Sequence, residues 1–209
     1  MAKRYFVTGI GTGVGKTVVS ALLCEYLRAD YFKPIQTGYP PDRDSAFVRH
    51  MVSYDIRIHP ESYLFKLPAS PHLAANVEGV RIDISTLSVP FTQTTLIIEG
   101  AGGLLVPIND RCFIADVIHH WQAECILVVP AYLGCINHSL LSLFYIQQKR
   151  IPLKGIVLNG SFEPLVKKAI TSYLYKVPVI AEIPNIGPVN KDSFQQLFQH
   201  FKNTIQVSL

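Results

Sequence analysis

Residues 9–17 read GIGTGVGKT. A glycine-rich turn that closes on Gly-Lys-Thr constrains the chain strongly, because such a turn works only between a strand and a helix. Both flanks supply them. Residues 5–8, Tyr-Phe-Val-Thr, form a short apolar strand. From Lys16 onward, Val19, Leu22, Leu23, Tyr26 and Leu27 fall at i, i+3, i+4, i+7 and i+8, which is one face of a helix.

Two fingerprints compete for the loop. A dinucleotide turn needs G-x-G-x-x-G. Counted from Gly9 and Gly11 the third position is Val14, and from Gly11 and Gly13 it is Lys16, so both registers fail. The phosphate loop G-x-x-x-x-G-K-[ST] keeps Gly15, Lys16 and Thr17 in place. It is longer than usual by a residue, because the expected first glycine is Ile10 and the nearest glycine is Gly9. Gly15 lets the backbone turn and present N–H groups, and the positive helix end draws phosphate. In this reading Lys16 can neutralise the β and γ phosphates and Thr17 can offer an oxygen to Mg²⁺; the alternative is a structural glycine-rich turn that binds nothing. Gly11 stands where partition-type ATPases carry a signature lysine.

Apolar strand patterns recur at 31–33 (stopped by Pro34), 95–99, 125–129, 155–158 and 177–183. Helical patterns fall at 43–52, 136–148, 164–175 and 191–201, with His119, His120 and Trp121 on a further helix. Residues 53–93 show no clear period. Buried strands alternating with helices imply a doubly wound α/β fold, its mostly parallel sheet covered on both faces. With 209 residues, 49% of them hydrophobic and 16% charged, one such domain over 1–209 is expected. Ligands of these sheets lie at the carboxyl ends of strands. The glycine loop, Lys33, Glu99, residues 130–135, Asn159 and Pro184 all fall there.

Glu99 follows four apolar residues and precedes Gly100-Ala101-Gly102-Gly103, a position from which a carboxylate can hold Mg²⁺. Asp44 is a second candidate, although Asp42 and Asp44 also suit a helix cap. Lys33 is either a solvated lysine or a charge for a transferring phosphoryl group. Cys135 begins a helix with His138 three residues on. That is either an activated thiol or a packed thiol beside an anion-binding helix end. Asn159 is followed by Gly-Ser-Phe, not by the N-K-x-D of guanine readers, so adenine is the expected base.

Other classes are disfavoured. The net charge of +4 is scattered, with no basic run or aromatic interleaving for nucleic acid. Cys24, Cys112, Cys125 and Cys135 form no CxxC pair. No signal segment or membrane-length apolar run is seen, so a reducing cytoplasmic setting is expected.

Six stretches in order, within residues 3–184, resemble the dethiobiotin synthetase family: K-R-Y-F-V-T-G with V-G-K-T, K-P-I-Q-T-G, S-P-H-L-A-A, E-G-A-G-G-L-L-V-P-I, L-G-C-I-N-H-S-L-L and E-I-P. The resemblance implies a P-loop nucleoside triphosphatase (Rossmann-like) architecture. It also implies an ATP- and Mg²⁺-dependent cyclo-ligase joining CO₂ to 7,8-diaminononanoate. Lys16 and Lys33 would stabilise the phosphoryl and carbamate charges, and Thr17, Asp44 and Glu99 would bind Mg²⁺. Gly13, Val14, Gly15, Lys16, Thr17 and Val18, with Glu99, Gly100, Ala101 and Gly102, would wrap the phosphates. Asn159, Gly160, Ile183, Pro184 and Asn185 would face adenine. Thr12 and Thr37 would touch the diamine or carbamate. Gly134, Cys135, Ile136 and Asn137 would bind the substrate carboxylate of the neighbouring subunit, which implies a homodimer. The chain departs from the family at Gly13, where many members carry an acid, and after Pro184, where N-I-G-P-V-N offers no acid for the ribose. The competing reading is a related ATPase acting as a partner-binding switch or in metal delivery.

Overall fold

The computed structural model describes residues 2–41 and 43–209. Seven strands form one sheet: β1 (Arg4–Gly9), β2 (Asp30–Phe32), β4 (Ile58–His59), β6 (Leu96–Gly103), β7 (Glu124–Pro130), β8 (Leu153–Asn159) and β9 (Val179–Ile183). Their order is β4-β2-β6-β1-β7-β8-β9, and every neighbouring pair is parallel. Two short strands, β3 (Ile35–Gln36) and β5 (Tyr63–Leu64), pair separately and in parallel. The helices are α1 (Lys16–Leu27), α2 (Asp44–Met51), α3 (Pro71–Val77), α4 (Ile114–Trp121), α5 (Cys135–Gln148), α6 (Pro164–Ser172) and α7 (Lys191–Thr204).

Alternate residues of each strand face opposite sides of the sheet. Phe6, Ile98, Leu127 and Leu158 pack on the side that holds Trp121 and Leu143. Tyr5, Val7, Ile97, Ile126 and Val157 pack on the side that holds Leu22, Leu23 and Phe201. With both faces covered, the strands have no polar side, which explains their unbroken apolar runs. The expected doubly wound α/β architecture is therefore present. The order reverses about β1: the chain leaves β1 toward β2 on one side and leaves β6 toward β7 on the other. A crevice opens at such a switch point, at the strands' carboxyl ends.

Residues 53–93 hold more structure than their sequence suggests: β4, β5, α3 and a 3₁₀ turn at Ile84–Thr86. Tyr26, expected on the buried face of α1, is 36% exposed and meets the Phe201 ring edge-on. Helix α1 is instead covered on several sides, with Ser20, Ala21 and Glu25 also buried. His119 and His120 end α4 at the surface, while Trp121 is in the core and donates to the Leu87 carbonyl at 2.9 Å.

Candidate nucleotide and cation site

A cleft of about 740 Å³ lies over the carboxyl ends of β1 and β6. The glycine loop forms its floor. Gly15 has φ +93 and hands the chain into α1, so Lys16 and Thr17 open that helix inside the cleft. Such left-handed backbone favours glycine. A Cβ at Gly15 would also stand 2.5 Å from Asn159 Nδ2. That amide donates to the Val14 carbonyl at 3.0 Å and braces the loop from β8. The tail of β6 also packs against the loop: a Cβ at Gly103 would sit 3.1 Å from the Gly9 carbonyl.

Four side chains from three elements and one linker converge beside the loop. Thr17 Oγ1 lies 3.0 Å from Asp44 Oδ1 and 2.8 Å from Glu99 Oε1. Lys33 Nζ donates to Glu99 Oε1 at 3.0 Å and also pairs with Asp44 Oδ2. Burial alone would lower the Lys33 pKa, but Glu99 and Asp44 outweigh it and raise it above the ordinary value. Burial likewise works against the Asp44 carboxylate, and Lys33 overcomes that to hold its pKa below the usual range. Burial shifts the Lys16 pKa down; Glu99 opposes this, Lys33 adds to the fall, and Asp44 opposes it more weakly. Its Nζ donates to the Gly11 carbonyl at 3.2 Å.

Asp44 is the first residue of α2 and caps nothing; its side chain reaches Thr17 and Lys33 instead. Asp42 lies outside the described residues. Two further residues hold the cluster and carry no signature in the loop motif. Tyr31 donates to Glu99 Oε2 at 2.8 Å. The Gln36 side-chain oxygen accepts the Asp44 backbone N–H at 3.1 Å.

The donor set fits a hard divalent ion: a hydroxyl and two carboxylates, all oxygen. Among the described residues no group of three or more His, Cys, Asp or Glu could hold a metal. The protein thus offers a partial shell, which suits Mg²⁺, an ion that keeps water and phosphate oxygens of its own.

The remaining candidates divide by position. Thr12, Gly13, Val14, Val18, Thr37, Ala101 and Gly102 line the same cleft. Gly100 does not; it is buried, and a Cβ there would stand 2.7 Å from the Phe6 ring. A second hollow of about 250 Å³ adjoins across Gly13 and Gly15 and is lined by Asn159, Ile183, Pro184 and Asn185 among others. Gly160 is outside its lining; its N–H goes to the Ile183 carbonyl at 2.8 Å. Gly134, Cys135, Ile136 and Asn137 line neither hollow and lie at the start of α5. The Cys135 thiol is buried and His138 bonds to Tyr132, so the activated-thiol reading is set aside for the packed one.

The AAA domain family model matches residues 3–193. An ATP-dependent dethiobiotin synthetase BioD from Agrobacterium fabrum is 40% identical over 203 residues, covering 96% of this chain and 95% of its own. The enzyme of that name from Paramagnetospirillum magneticum is 43% identical over 184 residues, covering 88% and 89%. Among solved structures, the septum site-determining protein MinD complexed with Mg-ADP from Pyrococcus horikoshii aligns with a TM-score of 0.53 at 16% identity. It covers 97% of this chain and 90% of that one, a likeness of fold alone.

Proposed function

Because this chain belongs to the dethiobiotin synthetase family, whose members are ATP-dependent ligases of biotin biosynthesis, we propose that it closes the ureido ring of dethiobiotin within residues 1–209. The substrates in this reading are 7,8-diaminononanoate, CO₂ and ATP. One amine adds to CO₂ and, losing a proton, becomes a carbamate. A carbamate oxygen attacks the γ-phosphorus, and ADP leaves. The second amine attacks the carbonyl carbon of the resulting carbamic-phosphoric anhydride. Phosphate departs and a five-membered cyclic urea remains.

The observation that carries this reading is the placement of Lys33 and Lys16 in one cleft with Thr17, Asp44 and Glu99. Lys33, its charge kept by two carboxylates, is placed to meet oxygens that gain charge as the phosphoryl group transfers. Lys16 serves the β and γ phosphates from the loop. Thr17, Asp44 and Glu99 would hold Mg²⁺, which supplies charge neutralisation at the triphosphate when bound. Thr12 and Thr37, lining the same cleft, orient the diamine or carbamate. Gly13 has φ +71 and nothing within 4 Å of an added Cβ. The acids lining the cleft among the described residues are Asp44 and Glu99, so in this reading they also attract the amines. Adenine occupies the adjoining hollow, against Asn159 and Ile183 to Asn185.

The substrate carboxylate is assigned to the start of α5 of a second copy. Leu133, Leu141 and Phe144 are exposed there, an apolar face that supports a homodimer. The four cysteines are free thiols, three of them buried, which favours a reducing, cytoplasmic setting. Among the described residues no helix is long and apolar enough to cross a membrane. The test is ADP release from Mg-ATP and bicarbonate, with and without 7,8-diaminononanoate, with product identified by mass. Diamine-dependent ADP and a dethiobiotin mass are expected. ADP release indifferent to the diamine would transfer the chain to the ATPase-switch reading.

A further inference from the structure

Tyr31 takes no part in the reaction described above, yet it is bonded to the carboxylate on which that reaction leans. Strands β2 and β6 run parallel with Tyr31 opposite Ile97, so Glu99 lies two residues further along on the same face. A phenol is long enough to reach such a diagonal neighbour. Its hydroxyl donates to Glu99 Oε2 at 2.8 Å, with both groups buried. The other oxygen, Oε1, takes Thr17 Oγ1 at 2.8 Å and Lys33 Nζ at 3.0 Å. The two oxygens of this carboxylate are thus divided, one held by the core and one turned to the cleft. The ring has no solvent exposure and packs on the α1 side of the sheet, so it has little freedom to follow the carboxylate elsewhere.

We propose that Tyr31 is a positioning residue for the divalent cation. By fixing Oε2 it keeps Oε1 of Glu99 aimed beside Thr17, where the ion binds. This rests on the reading of Glu99 as a cation-holding carboxylate. Partners that orient a metal-holding carboxylate commonly account for about 10–100-fold in metal affinity, and a change of that size is expected here.

The experiment titrates Mg²⁺ into protein with a fixed concentration of ATP and follows nucleotide binding, not turnover. It compares the parent, Tyr31→Phe, Glu99→Gln and the double variant. Each is measured below its own melting transition, located by a thermal scan of the same samples. Tyr31→Phe keeps the ring and removes only the hydroxyl. The Mg²⁺ concentration at half-saturation is expected to rise roughly 10–100-fold in Tyr31→Phe, while binding of metal-free ATP stays as in the parent. In the Glu99→Gln background the same substitution is expected to add nothing, since the two residues act through one carboxylate. A Tyr31→Phe protein with parental Mg²⁺ half-saturation overturns the proposal, and so does a loss of equal size with and without Mg²⁺, which marks a purely structural role. A shift that persists in the Glu99→Gln background overturns it too. If Glu99→Gln itself leaves the Mg²⁺ dependence untouched, the reading of Glu99 fails and the proposal falls with it.

Discussion

Lys33 and Glu99 form an ion pair at 3.0 Å although only 5% and 1% of their respective surfaces reach solvent. Charges this far from water persist only as a hydrogen-bonded set, and Tyr31, Thr17 and Asp44 complete it.

Lys33→Ala leaves a buried carboxylate without its cation. Breaking such a pair costs up to about 3–5 kcal/mol, so a lower melting temperature is expected by calorimetry. Below that transition, dethiobiotin formation is expected to fall by roughly 100–1000-fold. A folded Lys33→Ala protein with full activity would remove the lysine from phosphoryl chemistry.

The same cluster sets a pH window for stability. The pKa of Asp44 is lowered by folding from an ordinary 3.8, so its contribution is present above that value and lost as pH falls through the folded pKa. The pKa of Lys33 is raised from an ordinary 10.5, so its contribution is complete below that value and lost as pH rises through the folded pKa. Asp44→Asn is expected to flatten the acid limb of stability against pH, as measured by urea unfolding. An acid limb unchanged in that variant would show that Asp44 is not linked to folding.

Thr17→Val keeps the shape of the side chain and deletes a hydroxyl that lies against both carboxylates. Nucleotide binding in the presence of Mg²⁺ is expected to weaken about tenfold, the worth of one or two such hydrogen bonds. Binding without Mg²⁺ should stay as it is. Calorimetric titration with and without the metal separates the two, and an unaltered Mg²⁺ dependence would take Thr17 out of the cation site.

Gly15→Ala meets two obstacles: φ of +93 and an amide 2.5 Å from the new methyl. The left-handed backbone alone costs about 1–2 kcal/mol. Nucleotide affinity is expected to collapse. Adding Asn159→Ala makes room without relieving the backbone, so recovery should be partial. Complete recovery in a nucleotide titration would mean that the loop tolerates a side chain at this position.

Phe144 is 49% exposed on α5, near Leu141 at 60%. If the proposed homodimer forms, Phe144→Asp is expected to convert it into monomers by sedimentation and to lower activity, since in that reading each cleft would lose its neighbour's α5. A parent protein that sediments as a monomer at assay concentration would end the dimer reading.

Much of this site is legible in the sequence. The glycine loop declares itself through Gly15, Lys16 and Thr17, and the buried strands through their unbroken apolar runs. Short elements are another matter. Strands β4 and β5 have two residues each, too few to show a period. Helix α3, seven residues opened by Pro71, is too short for a convincing apolar stripe. The reach of Asp44 is not legible, because sequence gives no direction to a side chain and the same residue suits a helix cap. Tyr31 left a usable trace, however: it stands two residues before Lys33 in the same extended stretch and so shares its face. The bracing of Val14 by Asn159 left none, since 145 positions separate them.

The tail of β6 and the glycine loop touch backbone to backbone, with Gly103 against the Gly9 carbonyl and the Gly11 nitrogen, and no side chain serves as a spacer between them. The distance from phosphate cradle to carboxylate strand is therefore fixed by peptide geometry, which does not soften as rotamers loosen with heat. This backbone junction lasts until β1 and β6 part, so loss of nucleotide binding on warming is expected to coincide with the melting of the sheet.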